Sequence, residues 1–376
     1  MNPIKPYFKF LLLILFTILG ENVSAAEDSA WVKLFNGKDL NDWDIHFSTR
    51  PFNENYYNTF KVANGILTVD YSEWKSNYVC GHAANKLRPY SYYWLRSEYQ
   101  VLKDGIPGTR PGGNPGGWAF ENNGLMLHSQ SMASMGPMQD YPISLEAQLL
   151  GPGNKNTTMN LCTPGTAFYT DSAGTQFNGS HCVDAMSPQK MVPEDTGWLN
   201  VSALVLGDSV IRFYVDNKEV FKFYHPVYWN QDNTVGDYLG KFPAEKTPLS
   251  SGYIAIQAES APYRFRKLDI LDLVGCMDKS KSAYRSYFVK NDPALCGSTS
   301  IIKNLGQEHF KIFQNSQMIW SANNAVFREI RDVNGSLIAS YQKNSAIYSF
   351  RPKHIGIYLI TLEKGNKLAT QRISFF

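Results

Sequence analysis

The sequence predicts an all-β protein: a sandwich or jelly roll of antiparallel strands over most of the chain, followed by a smaller β-module. Three observations carry this. Apolar and polar residues alternate with period two in short runs, as in ISLEAQLL (143–150) and SGYIAIQAES (251–260). Clusters of Gly, Pro and Asn separate the runs. After the N-terminal segment no sustained period of 3.6 residues occurs, and aromatic residues, which favour strands, make up 14% of the chain.

The chain of 376 residues opens with MNPIKPYFKFLLLILFTILGENVSA. Lys5 and Lys9 precede an apolar stretch from Phe10 to Leu19, and Val23-Ser24-Ala25 offers small residues for cleavage. Residues 1–25 therefore read as a secretory signal peptide, with no transmembrane span expected after its removal. A large domain is expected over 27–273. Its strands are NGILTVD (64–70), YYWLRSEYQV (92–101), NNGLMLHSQ (122–130), ISLEAQLL (143–150), WLNVSALVLG (198–207), VIRFYVDNKEVFKF (210–223), SGYIAIQAES (251–260) and YRFRKLDILDL (263–273). The sixth is a hairpin turning at Asp216-Asn217-Lys218. Residues 104–118, DGIPGTRPGGNPGGW, are too rich in Gly and Pro for a strand or helix and read as a long loop, of the kind that often binds.

After Leu273 the composition shifts. Residues 274–300 are polar and bracketed by cysteines, as a linker or clip would be, and 301–376 read as a hairpin-rich β-module with turns at Asn334-Gly335 and Lys364-Gly365-Asn366. Export permits disulfides, and the spacing suggests two local ones, Cys162–Cys182 and Cys276–Cys296, with Cys80 left over. No cysteine pair has the CxxC spacing of a zinc site. The formal net charge of +3 comes without a basic stripe, which argues against nucleic acid.

The alternation assigns two faces. Leu145, Ala147 and Leu149, with Ile254, Ile256 and Ala258, form the core face; Glu146, Gln148, Gln257 and Glu259 then stand on the other. Arg96, Glu98, Gln100, Met126 and His128 join that second face if the registers align. Such a face is either solvated or a groove whose donors and acceptors suit a polyhydroxylated ligand. Glu98, Glu146 and Glu259 are candidate acids and bases, because cleavage of a glycoside needs one group to protonate a leaving oxygen and another to act as base or nucleophile. His82 and His128 could serve as acid–base groups or metal ligands. No nucleophile elbow, P-loop, HExxH or dinucleotide fingerprint occurs in the sequence.

The segments WVKLFNGKDLNDWDI (31–45), GILTVD, YYWLRSEYQV, NNGLMLHSQ, SLEAQLLG and GYIAIQAESAPYRFRKLDILDL, taken in order, resemble the 3-keto-disaccharide hydrolase domain, a family related by label to family 16 glycoside hydrolases. The resemblance implies a concanavalin-like jelly roll of two antiparallel sheets acting on a glycoside whose sugar carries a 3-keto group. It implies Glu146, His128 and Glu259 as catalytic residues, with Glu98, Asn123, Gln148 and Arg266 alongside; Gln257, from the alternation, and Trp118, as a groove aromatic, complete the expected substrate-binding set. It also implies a divalent metal, held by His and Glu, as a candidate stabiliser of the enolate. The tail from Arg328 onward resembles the C-terminal sorting domain of type IX secretion in Bacteroidetes, through its D-x-x-G turn and GIYLI strand. The expectation is thus a glycoside-cleaving enzyme, secreted or held at the cell surface and engaging the secretion machinery through its tail. The alternative is a non-catalytic, lectin-like module using aromatic residues such as Trp118 and Trp74.

Overall fold

In the computed structural model, the described residues are 30–74, 79–102, 121–152, 154, 156–184, 197–230, 235–239, 241–259 and 261–296. In the tail they are 312–314, 319–321, 326–332, 336–341, 349–350, 356–364 and 367–375. The expected signal peptide, the loop 104–118 with Trp118, and the Asn334-Gly335 turn lie outside them. The chain divides into two units, Met1–Gly297 and Ser298–Phe376.

The first unit is built from strands. They begin with β1 (Val32–Lys33), β2 (Trp43–Phe47), β3 (Phe60–Ala63), β4 (Ile66–Val69), β5 (Gly81–Tyr90) and β6 (Tyr92–Val101). Next come β7 (Asn122–Ser129), β8 (Leu145–Leu150), β9 (Leu161–Cys162), β10 (Thr166–Tyr169), β11 (Phe177–Asn178) and β12 (Cys182–Val183). The series closes with β13 (Leu199–Leu206), β14 (Val210–Val215), β15 (Lys218–Tyr228), β16 (Gly252–Ala258) and β17 (Tyr263–Asp272). One sheet has the order β12-β9-β8-β7-β16-β5-β2; the other is 10-stranded, with the order β11-β10-β15-β14-β13-β6-β17-β4-β3 and β1 beside β17. All pairings within these two sheets are antiparallel. This is the expected jelly-roll sandwich.

The inner faces follow the alternation. Leu145, Ala147, Leu149, Ile254, Ile256 and Ala258 are all fully buried and pack in one cluster with Leu95, Tyr99, Phe213, Phe223 and Phe265 of the other sheet. Two tyrosines tie the layers together. Tyr99 Oη donates to the Leu150 carbonyl at 3.1 Å, and Tyr263 Oη donates to the Leu149 carbonyl at 2.9 Å. A buried hydroxyl must find a partner, and here the partner lies in the facing sheet.

Both expected disulfides form, Cys162–Cys182 across β9 and β12 and Cys276–Cys296 in the segment after β17; Cys80 is a buried thiol. That later segment is docked on the jelly roll. Val274–Gly275 pairs in parallel with Lys290–Asn291, and Tyr287 and Val289 pack with Trp31 against Leu204, Leu206, Leu271 and Leu273. The second unit holds a sheet Leu337–Ser340, Val326–Asp332, Gly356–Lys364, Lys367–Phe375 around Phe327, Ile330, Tyr358, Ile360 and Leu362. Among the described residues, no helix is long and apolar enough to cross a membrane.

Candidate functional site

The outer face of the seven-stranded sheet carries a row of polar residues set by strand register. His46 of β2 is the cross-strand partner of His82 of β5, and His82 is the partner of Gln257 of β16. One step beyond the Ile256–Leu125 pair, Gln257 stands beside Gly124 of β7, and Gly124 pairs with Gln148 of β8. The row reads His46, His82, Gln257, Gly124, Gln148 across five strands. Each of these side chains alternates with inward residues such as Ile45, Ala83, Ile256, Leu125 and Ala147.

Gly124 is the gap in that row, and Glu146 fills it. A Cβ at Gly124 would lie 2.2 Å from Glu146 Oε1 and 2.7 Å from its Cγ, so the carboxylate rests directly over the glycine backbone. A side chain at position 124 would displace it. Glu146 is only 3% exposed.

Glu259 follows β16 on the same face, 2% exposed. Asn122 Nδ2 donates to its Oε2 at 2.9 Å, and Tyr141 Oη donates to its Oε1 at 3.0 Å. The Tyr141 ring in turn packs edge-on against His82, with centroids 6.2 Å apart. Two acids, a tyrosine, two histidines and three amides are therefore gathered on one buried face.

The segment between β7 and β8 covers part of it. Residues 130–143 (QSMASMGPMQDYPI) fold back over the strands they connect. Met132 and Met135 bury against Met126, Ala84 and Ala255. His46 Nε2 donates to the Gln139 carbonyl at 2.9 Å, and Gln139 Nε2 donates to Gln130 Oε1 at 2.8 Å and to the Tyr141 carbonyl at 2.7 Å. This network delivers Tyr141 to Glu259.

Burial sets the charge of the histidines. It pushes His82 down to about 3, with nearby His46 adding to the effect. His46 is also lowered, chiefly by burial, against the opposing pull of the Gln139 carbonyl and Asp140. His82 is thus a neutral imidazole at physiological pH, able to donate from one nitrogen and accept at the other.

Not every expected residue arrives on this face. His128 turns the other way: its Nε2 donates to the Gly207 carbonyl of the facing sheet at 3.2 Å, and its ring meets Tyr93 edge-on at 5.7 Å. The cause is a β-bulge. Ala255 pairs with Met126 but Tyr253 pairs with Ser129, so an extra residue sits between, and His128 adopts a φ of 49°. One inserted residue inverts the alternation on which the expected placement rested. The bulge closes over Gly252, where a Cβ would meet the His128 carbonyl carbon at 2.2 Å.

Glu98 and Arg266 meet each other, but on the other sheet. β6 pairs with β13 and β17, so their ion pair stands on the outer face of the 10-stranded sheet, with Arg266 48% exposed and stacked 4.5 Å over Trp198. Asn123 serves the backbone: its Nδ2 donates to the Gln257 carbonyl at 2.7 Å and its Oδ1 accepts from Gly124 N–H at 2.8 Å. Trp74 is no groove aromatic. It is buried among Phe47, Tyr56, Tyr57 and Tyr71, and its Nε1 donates to Thr59 Oγ1 at 2.9 Å.

His46, Asn122 and Tyr141 carry no signal in the sequence pattern, whereas His82 is one of the two histidines expected as acid–base groups or metal ligands. β5 reads GHAANKLRPY, poor in β-branched residues and carrying a proline, so its strand character comes from its neighbours rather than its own propensity. Tyr141 reaches the site through a loop, which no periodicity reports. Among the described residues, no group of three or more His, Cys, Asp or Glu side chains could hold a metal ion. The divalent ion that the resemblance implies therefore finds no ligand set among them.

No curated protein matches the sequence. Among solved structures, the chain is similar to a proposed glycosyl hydrolase from Parabacteroides distasonis ATCC 8503, at 17% identity over 66% of this chain and 98% of that one, with a TM-score of 0.40. A protein of unknown function with a galectin-like fold from Bacillus subtilis is similar at 9% identity over 64% and 94%, with a TM-score of 0.36. The carbohydrate recognition domain of Emp46p, metal-free, is similar at 12% identity over 64% and 94%, with a TM-score of 0.32. The profile of the 3-keto-alpha-glucoside-1,2-lyase-like domain matches residues 30–271, which comprise the whole jelly roll apart from the last residue of β17. By that match the chain belongs to the 3-keto-alpha-glucoside-1,2-lyase-like domain family, and its large domain is a carbohydrate-related one.

Proposed function

We propose that the jelly roll cleaves a 3-keto-glycoside on the outer face of its seven-stranded sheet. The observation that carries this reading is the pairing, on one buried face, of Glu146 over Gly124 with the Glu259–Tyr141 contact. A C3 carbonyl acidifies the C2 hydrogen. Glu146 takes that proton, the electron pair forms the C1–C2 double bond, and the C1–oxygen bond breaks. The departing oxygen receives a proton from Tyr141, which Glu259 holds in place. Addition of water across the new double bond then completes a net hydrolysis. Glycine under Glu146 suits this task, since the absence of a side chain leaves the carboxylate room to lie against the backbone.

The test is product analysis with a panel of glycosides and their 3-keto derivatives, with and without a chelator. Cleavage of the keto forms only, with an unsaturated or hydrated 3-keto sugar as product, is the expected result. Cleavage of unoxidised glycans would replace elimination by paired-carboxylate hydrolysis. Saturable binding without turnover would make the domain a lectin-like module.

The same reading places the protein outside the cell. Two disulfides support an oxidising compartment, and the separate unit Ser298–Phe376 supports an address module of the type IX kind. Deleting 298–376 should leave the enzyme in the periplasm of a host with that secretion system; unchanged surface delivery would remove the sorting role.

A further inference from the structure

His82 and Gln257 stand out from every other polar residue of the site. Both are 0% exposed and face each other across β5 and β16. Among the described residues, His82 Nδ1 and Nε2 and Gln257 Oε1 and Nε2 have no hydrogen-bond partner. Nearly all buried polar groups are satisfied, and each that is not costs stability. Four such atoms on two adjacent side chains are a strong anomaly, since none of the described residues engages them. By contrast, Asn122, Asn123 and Gln139, equally buried and close by, spend their amide nitrogens on named partners.

We propose that His82 and Gln257 form a preformed subsite for an uncharged sugar, receiving a carbonyl oxygen and a neighbouring hydroxyl. The inference rests on the proposed glycoside-cleaving reading and adds the substrate's charge class to it. The chemistry is complementary. A carbonyl accepts only, and takes the Gln257 Nε2–H or the imidazole N–H. A hydroxyl donates and accepts, and finds the Gln257 Oε1 or the bare imidazole nitrogen. The pair therefore matches a vicinal keto–hydroxyl or diol arrangement without carrying charge itself.

The surroundings reject a carboxylated sugar. The groups around the pair are His46 on β2, Tyr141 from the covering segment, the carboxyl of Glu146 over Gly124 beside Gln257, and Glu259 two residues along the chain from Gln257. Two of these are acids in a buried setting, where like charges repel strongly. His82 offers no compensating positive charge, because burial keeps it neutral. A glycuronide would meet carboxylates and acceptors where it needs cations.

The experiment uses the full chain, with methyl 3-keto-α-glucoside and its 6-carboxylate as probes. Affinity, KM, kcat and melting temperature are measured for the native protein, His82→Leu and Gln257→Met. The expected result is an affinity for the neutral probe at least about tenfold weaker in either variant, with KM rising more than kcat falls. The melting temperature should hold or rise, because apolar groups replace unsatisfied polar ones. The native protein should bind the acid at least about a hundredfold more weakly than the neutral sugar.

Variants that lose stability while keeping native affinity would overturn the assignment, and so would equal binding of the two probes. Should His82→Leu fail to fold, Gln257→Met and the native protein's selectivity still decide. Turnover of the neutral probe with unaltered affinity in the variants defeats the subsite and leaves the reaction standing. No binding or turnover of either probe by the native protein defeats both.

Discussion

The outer faces of the two sheets read alike in the sequence and differ completely in the fold. Each carries glutamate and glutamine at alternate positions, SEYQ on β6 and LEAQ on β8. On the 10-stranded sheet Glu98 pairs with Arg266, Arg96 with Asp269 at 3.1 Å, and Arg212 with Glu219 at 2.8 Å. Several of these side chains reach water, and pairs of that kind contribute little. On the seven-stranded sheet Glu146 and Glu259 are buried and surrounded by amides, a tyrosine and neutral imidazoles. An identical residue type is thus a partly exposed ion-pair partner on one face and a buried carboxyl on the other. What separates them is the degree of cover: residues 130–143 fold over part of the face of Glu146 and Glu259, which are 3% and 2% exposed, while on the other face Arg266 beside Glu98 is 48% exposed.

The largest test of this contrast exchanges carboxylates for amides. Glu146→Gln and Glu259→Gln should each lower kcat on a 3-keto-glycoside by about a hundredfold or more, the range expected for loss of general acid–base catalysis. Glu98→Gln should leave kcat within about twofold, since Glu98 stands on the sheet opposite the proposed site, in a partly exposed ion pair. A large loss in Glu98→Gln would erase the distinction between the faces.

Gly124→Ala sharpens the comparison. The new methyl must push the Glu146 carboxylate aside, and a flexible side chain can yield. Turnover should fall about tenfold or more while folding is retained, because small misplacements of a reacting group are costly. Full activity in this variant would show that the carboxylate's position over position 124 is irrelevant.

The buried histidines give a pH signature that exposed ion pairs lack. Folding lowers His82 from 6.5 to about 3 and His128 to about 4, mainly through burial. As pH falls below 6.5 the unfolded chain binds protons that the folded protein refuses. Stability is therefore complete above that value and is lost on descending toward 4 and 3. The slope is about 1.4 kcal/mol per pH unit for each histidine. Denaturant unfolding at pH 7 and pH 5 measures it, and His82→Leu should flatten the dependence. An unchanged slope in that variant would mean His82 is not held neutral by burial.

The smallest effect belongs to the open face. Arg266→Ala should cost under about 1 kcal/mol, and the cost should shrink in high salt, as screened surface pairs do. A larger, salt-insensitive loss would mark that face as structurally critical after all.

Much of this was legible in the residues themselves. The inward sets Leu145/Ala147/Leu149 and Ile254/Ile256/Ala258, the strand Tyr92–Val101, and the hairpin turning at Asp216-Asn217 follow from period-two alternation and turn chemistry. Both disulfides join cysteines 20 residues apart, a local spacing that the sequence displays. The placement of Gln148, Gln257, Glu146 and Glu259 on one face follows from the same alternation.

What the chain determines by itself is therefore everything that depends on near neighbours: which residues of a strand share a side, where turns fall, and which family its motifs join. Only the tertiary structure decided which sheet each strand entered, and so sent Glu98 and Arg266 away from Glu146. It alone set the bulge that turned His128 toward Gly207 and brought Tyr141 to Glu259 from a loop. It also buried His82 and Gln257 with no side-chain hydrogen-bond partner among the described residues. The physical reason is range. Alternation is a property of one strand, whereas pairing, bulges and burial are settled by contacts between segments far apart in sequence, and a single inserted residue is enough to reverse a face.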